Sequence, residues 1–247
     1  MSGRNTRYHP SSWFGRHVTR KLSPYVTRLF LRLGMSANQA SVLRLVAALA
    51  VAPLFLRPEP WWWIGACLAA YAGIVLDCVD GELARLRGTA SPEGTYVDEV
   101  TGMTSGSALL SGITIGLSLM LGTHAVVFGL GAIITRWLTL SHLHLLRSVA
   151  FEWGVPAPAR SSARPSEAGW VRRARTVATY LLFTPGLHYL PQLIIASALD
   201  LLVPPFTVFG LAFNVRLLWL TFFALGLLLA EVARARLTVR RGIRSQL

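Results

Sequence analysis

The chain has 247 residues, 53% of them hydrophobic and only 14% charged, with a formal charge of +13 and a mean hydropathy of +0.50. Apolar content this high, gathered into runs of membrane-crossing length, excludes an ordinary soluble domain and predicts an all-α integral membrane protein. The basic residues fall between the runs, so the charge is assigned to membrane topology and not to nucleic-acid binding.

The first eleven residues read as a disordered arm without an apolar core long enough for a cleavable signal peptide. From 12 to 34, Phe14, Val18, Leu22, Tyr25, Leu29 and Leu33 recur every three or four residues, with Arg16, Arg20, Lys21, Arg28 and Arg32 on other faces. That pattern predicts an amphipathic helix lying on the anionic inner leaflet. Gly34 to Ser41 reads as a turn and a helix start.

A membrane domain is expected over 35–232, with six spans near 39–56, 61–84, 95–120, 124–147, 176–199 and 207–230, and a basic tail over 233–247. Residues 152–170, rich in Pro, Ser, Ala and Gly, read as the one long loop. Six spans put both termini on one side, together with Arg85, Arg87, the arginines of the long loop and those of the tail, whereas the opposite loops hold only Arg57. The positive-inside rule then predicts a cytoplasmic face for both termini, and Trp61, Trp62 and Trp63 fit an outer interfacial belt. Cys67 and Cys78 share one apolar run and define neither a disulfide framework nor a metal site.

The chemistry concentrates between Asp77 and Gly102. Asp77, Asp80, Gly81 and Ala84 sit at helical offsets that place them on one face. Asp98 is presented in the same way by the next run, and carboxylates at the ends of apolar helices are expensive unless they bind something. Three such oxygen donors suit magnesium or manganese. Gly81 and Ala84 leave the face nearly bare for a ligand, and Arg85, one turn on, is placed to pair with phosphate oxygens. Within the spans, Arg136 and Arg216 lie deep and are candidates to meet an anionic acceptor. Arg44 and Arg147, nearer the span ends, read as ion-paired or snorkelling residues. His142 and His144, two apart, cannot share a helix face as a metal pair.

The pattern Asp77-x-x-Asp80-Gly81-x-x-Ala84-Arg85, eight residues, Gly94-x-x-x-Asp98 resembles the signature of the CDP-alcohol phosphotransferases, membrane enzymes of phospholipid head-group synthesis. The stretch Gly34 to Ser41 is similar to the Pro-Asn-x-x-Thr element before that family's first span, with Ala37 and Ser41 in the Pro and Thr places. The resemblance implies transfer of a phosphoryl-alcohol or phosphatidyl group from a CDP-linked donor to an acceptor hydroxyl, with release of CMP. Asp77, Asp80 and Asp98 would be ligands of two Mg2+ or Mn2+ ions, while Gly81, Ala84, Arg85 and Gly94 would hold the CDP portion. A homodimer packed through membrane helices is implied as well.

The family motif continues to a fourth aspartate, a metal ligand and the general base, and here that position is Gly102. General-base help is worth about 10² to 10⁴ in rate. Thr101, Ser105, Glu93 or a histidine of the fourth span are the substitutes to weigh. Glu82 lies on the wrong face relative to Asp80, and Glu99 about 100° round the helix from Asp98. Three readings follow: a working transferase with an altered base or an acceptor that needs none, an inactive relative serving as a membrane scaffold, and an ion-coupled transporter. The bare Gly-Ala-Arg surface between the aspartates disfavours the last.

Overall fold

A computed structural model describes residues 19–152 and 189–241. In chain order these form α1 (Arg20–Arg32), α2 (Ala37–Val51) continued by a 3-10 turn (Ala52–Leu56), α3 (Pro60–Leu86), α4 (Pro92–Leu121) and α5 (His124–Glu152). After the undescribed stretch come α6 (Leu190–Leu199), β1 (Phe206–Val208), β2 (Leu211–Phe213) and α7 (Val215–Arg241). Among the described residues five helices are long and apolar enough to cross a membrane: Ala37–Leu56, Pro60–Leu86, Pro92–Leu121, His124–Leu146 and Val215–Ala233. The contacts gather into two compact units, Met1–Val51 with Leu68–Leu109, and Ala52–Cys67 with Leu110–Leu247.

In the first unit, local turn chemistry sets the helix ends. Gly34, at φ +73°, closes α1, and the Met35 N–H reaches back to the Phe30 carbonyl at 3.0 Å, a left-handed C-terminal cap that favours glycine. Ser36 then opens α2 with a capping box: its N–H donates to Gln39 Oε1 at 2.8 Å and its hydroxyl accepts the Gln39 N–H at 3.2 Å. The next connection repeats the device. Gly88, at φ +67°, ends α3 with Thr89 N–H on the Ala84 carbonyl at 2.9 Å, and Ser91 Oγ accepts the Gly94 N–H at 3.1 Å ahead of α4. Phe30, Ala40, Val75, Val79 and Leu83 form the core between α1, α2 and α3.

Helix α1 is tied to α3 by polar groups as well. The Ser23 and Thr27 hydroxyls donate to the two oxygens of Glu82, each at 2.6 Å, and Thr19 Oγ1 lies 3.0 Å from the Tyr71 hydroxyl. Its other side leaves Leu22, Tyr25, Leu29 and Leu33 exposed. The apolar stripe expected from the sequence is thus the face turned away from the protein, while residues 12–18 of that expected helix lie outside the described residues.

In the second unit α5 runs along α7, with His142 Nδ1 paired to Glu231. Trp219 Nε1 on α7 donates to Gln192 Oε1 on α6 at 3.1 Å. The sixth span was expected to start at 207, and the structure corrects this: Phe206–Val208 and Leu211–Phe213 pair as an antiparallel hairpin, and the helix begins at Val215. Phe209 and Gly210, at φ 51° and 77°, make the two-residue turn that suits strand twist. Asn214 Oδ1 then accepts the Leu217 N–H at 2.9 Å and starts α7. Of the expected fifth span only the part from 189 onward is described, and it holds α6, ten residues long.

Helix α4 carries Gly112 and Gly116 against the 3-10 turn, where an added Cβ would run into the Ala52 and Phe55 carbonyl oxygens. Small residues let backbones approach in this way. Gly131 of α5 has nothing within 4 Å of such a Cβ. Gly116→Ala is therefore expected to destabilise the protein by about 1–3 kcal/mol through overpacking, whereas Gly131→Ala is neutral or stabilising by up to about 1 kcal/mol. Thermal unfolding of the two variants in detergent compares them directly, and equal midpoints would contradict the packing described.

Candidate active site on α2, α3 and α4

The three aspartates of the sequence motif meet in the first unit around one guanidinium. Asp80 is 4% exposed, with the Ser41 hydroxyl donating to Oδ2 at 2.7 Å and the Gly81 N–H to Oδ1 at 2.6 Å. The Asp77 and Asp98 side chains are 54% and 45% exposed. Arg44 of α2, 2% exposed, lies among them. Its Nη1 pairs with Asp77 Oδ1 and stands 3.9 Å from Asp80 Oδ2. Its Nη2 donates to Asp98 Oδ1 at 2.9 Å, to the Asp98 carbonyl at 2.6 Å and to Thr101 Oγ1 at 2.7 Å. Asp98 therefore faces the other carboxylates through a shared partner and not lipid.

A cavity of about 410 Å³ opens beside this cluster, with Asp80, Gly81, Ala84 and Arg85 of α3 on its wall together with Ser36, Asn38, Gly94 and Asp98. The capped starts of α2 and α4 both contribute to it, bringing backbone N–H groups and the positive ends of two helix dipoles to one place. A Cβ on Gly94 would meet only Ser91 Oγ at 3.5 Å and Asn38 Oδ1 at 3.7 Å, and one on Gly81 only the mobile tip of Arg85, at 3.2 Å. No neighbouring backbone demands either glycine. What the glycines keep open is the cavity.

The other residues singled out in the sequence fall as follows. A Cβ on Gly102 would sit 3.3 Å from Arg44 Nη2, so the side of α4 where a fourth aspartate would project faces the guanidinium. Thr101 accepts from Arg44 and donates to the Val97 carbonyl at 2.8 Å, which engages it. Ser105 is buried with no hydrogen-bond partner among the described residues. Glu82 is held by α1, and Glu93 is exposed at the start of α4.

Arg136 and Arg216 belong to the second unit. Arg136 is 5% exposed, and its Nε and Nη1 find no partner among the described residues. Arg216 is engaged instead: Nε donates to Asp200, the guanidinium approaches the Pro58 carbonyl, and it stacks over Trp63 at 4.5 Å. The side chain of Arg147 lies outside the described residues.

Sequence reasoning read Arg44 as ion-paired or snorkelling, and the structure shows it ion-paired; what it missed were the partners, and with them the service of Ser41 and Thr101. The only signal was the spacing of Ser41 and Arg44, three apart on one helix face. The oxygen-only donor set has the chemistry of a magnesium or manganese site. Among the described residues, however, no group of three or more His, Cys, Asp and Glu side chains is placed to hold a metal ion, and Arg44 pairs with Asp77 and Asp98.

The sequence was compared with known proteins. The family model described as CDP-alcohol phosphatidyltransferase matches residues 35–209, so the chain belongs to that family. It is accordingly a transferase of substituted phosphate groups, acting on a CDP-linked donor in phospholipid synthesis. Three solved structures of the phosphatidylinositol phosphate synthase of Mycobacterium tuberculosis share the fold. The complex with manganese and citrate is 17% identical, with a TM-score of 0.58, covering 89% of this chain and 90% of that one. The complex with CDP-DAG is 17% identical, with a TM-score of 0.57 and coverage of 87% and 92%. The apo form is 16% identical, with a TM-score of 0.57 and coverage of 88% and 97%. No curated protein matches the chain significantly.

Because the space beside Gly94 is cavity and not packing, Gly94→Val is expected to change stability by no more than about 0.5 kcal/mol while weakening CMP binding about tenfold or more, or about 1.4 kcal/mol. Thermal shift measurements with and without CMP separate the two effects, and unchanged CMP binding would contradict the assignment of this wall.

Proposed function

We propose that the cavity beside Asp80 receives the diphosphate and nucleotide of the CDP-linked donor, and that this chain transfers the donor's phosphatidyl or phosphoryl-alcohol group to an acceptor with release of CMP. The observation that carries this reading is the meeting, on one cavity wall, of the motif residues Asp80, Gly81, Ala84, Arg85, Gly94 and Asp98 with the starts of α2 and α4.

Asp77, Asp80 and Asp98 would hold the Mg2+ or Mn2+ implied by the family, and such an ion supplies charge neutralisation and alignment of attacking and leaving oxygens when bound. Manganese in the solved M. tuberculosis synthase supports that choice. The chain's own groups do the rest. Arg85 and the backbone N–H groups at the two helix starts bind phosphate oxygens, Ser41 and the Gly81 N–H hold the Asp80 carboxylate in place, and Arg44 fixes Asp77 and Asp98. Gly81 and Ala84 let the nucleotide approach the α3 backbone. With Gly102 at the base position and Thr101 and Glu82 engaged elsewhere, an acceptor that is already ionised, a phosphate or carboxylate, fits this site better than a neutral alcohol. Arg136, whose Nε and Nη1 find no partner among the described residues, is a candidate anion-binding residue within the second unit. Arg216, held by Asp200, is better suited to fixing α7 to its own unit.

Six spans, both termini and the cavity on the cytoplasmic side, and homodimerisation complete the proposal. The arginines at the α3 end and in the tail support the orientation, and the exposed apolar stripe of α1 supports its lying at the membrane surface. A catalytically silent scaffold is the competing reading, motivated by Gly102. Asp80→Asn is expected to lower turnover of labelled CDP-donor by about 10² or more in the purified protein. Parallel assays with phosphorylated and unphosphorylated acceptors should favour the former, and turnover of neutral alcohols alone would refute the ionised-acceptor reading. No CMP release under any of these conditions would favour the scaffold.

A further inference from the structure

We infer that the hairpin Phe206–Phe213, with the apolar residues leading into it, is seated in the interfacial layer of the lipid leaflet at its end of the second unit, an uncharged anchor at the start of α7. The inference rests on the chain's crossing the membrane and is independent of the CDP-dependent reading.

Contacts on its inner side fix the hairpin's place within the second unit. His124, at the start of α5, has Nε2 2.7 Å from the Ala212 carbonyl. The Phe213 ring packs on His124 and Phe128 at centroid distances of 5.6 and 6.4 Å and stacks on Phe206 at 6.2 Å. Just past the hairpin, Arg216 reaches the Pro58 carbonyl at 3.3 Å and lies over Trp63, near the start of α3. The hairpin therefore sits where α3, α5 and α7 begin, three helices long and apolar enough to cross a membrane. Such helix starts lie at the level of the lipid head groups, a level that the exposed Trp61 and Trp62 of the same unit also suit.

What the hairpin turns outward is apolar and carries no charge. Leu202, Val208, Phe209 and Leu211 are exposed, Phe209 completely, and residues 201–215 include no Asp, Glu, Lys, Arg or His. The two charges that bracket this stretch are withdrawn. Asp200 and Arg216 pair with each other, their side chains only 3% and 5% exposed, and Asp200 Oδ1 also accepts the Val215 N–H at 2.7 Å. At the tip, a turn position of positive φ that favours Asn, Asp or Gly holds Phe209 instead. Facing water, such a surface is an aggregation liability. A protein partner calls for a polar rim, and Thr207 is the one polar side chain on the two strands. A lipid leaflet asks for neither charge nor side-chain hydrogen bond. The strand edges keep backbone groups that hydrocarbon cannot satisfy, so the seat is the interface and not the bilayer core.

The test places a nitroxide on Phe209→Cys in full-length protein whose Cys67 and Cys78 are replaced by alanine, reconstituted in phosphatidylcholine nanodiscs. Collisions with oxygen and with a water-soluble nickel chelate are read by electron paramagnetic resonance, with spin-labelled lipids calibrating depth and Glu93→Cys, exposed at the start of α4, as the aqueous reference. At 209 oxygen collisions should exceed nickel collisions, at a depth just below the phosphates, with the reverse at 93. Nickel collisions at 209 equal to those at 93 would place the hairpin in water and overturn the inference. Low collision rates with both reagents would show it covered by protein, a second copy included, and overturn it equally. Should the cysteine-free chain not fold, the wild type decides: a phospholipid with a photoactivatable group high on its acyl chain should cross-link to 201–213. Adducts on α7 without any on that segment would count against the seat.

Discussion

A guanidinium buried in a membrane helix is costly without acceptors, and the two terminal nitrogens of Arg44 find theirs in groups drawn from α3 and α4. The converse holds for the carboxylates. Asp77, Asp80 and Asp98 brought together without a cation would repel one another, most strongly at the buried Asp80. One arginine therefore fixes the mutual position of three helices, and the cavity exists where it does because α2 cannot shift relative to α3 and α4 without stranding charge.

Around that constraint the short connections do the aiming. Two glycines at positive φ end α1 and α3, and two serines start α2 and α4 directly after them. Each turn leaves the first N–H groups of a helix at the cavity edge, where phosphate oxygens are the natural ligand. The hydroxyls of Ser23 and Thr27 do something different. By binding Glu82 they hold α1 against α3 and leave its apolar stripe outward, so that the same glutamate that is turned away from Asp80 anchors α1.

The sequence carried what depends on local spacing. The motif aspartates, the bare Gly81 and Ala84 face and the helix start at Ser36 could all be read from offsets along one helix, and α3 and α4 run over 60–86 and 92–121, within three residues of the bounds expected. That Arg44 is ion-paired was one of two readings its place near a span end allowed; which residues it pairs with could not be read, because they lie 33 and 54 positions away. Nor could the hairpin at 206–213, where a run of apolar residues hides a change from helical to extended backbone. Only Pro204, Pro205 and Gly210 hinted at that break. Arg216 was placed toward an acceptor on depth alone, and Asp200, a neighbour in space from the preceding helix's end, gives it a partner instead.

The central claim is that the cavity walled by Asp80, Gly81, Ala84, Arg85 and Asp98 receives the donor's diphosphate. An experimental structure of the protein with CDP and Mn2+, with manganese located by its anomalous scattering, tests this most directly. The account predicts manganese in the cavity beside Asp80 and the diphosphate against the starts of α2 and α4. Manganese absent from this cavity, or CDP bound away from it, would contradict it.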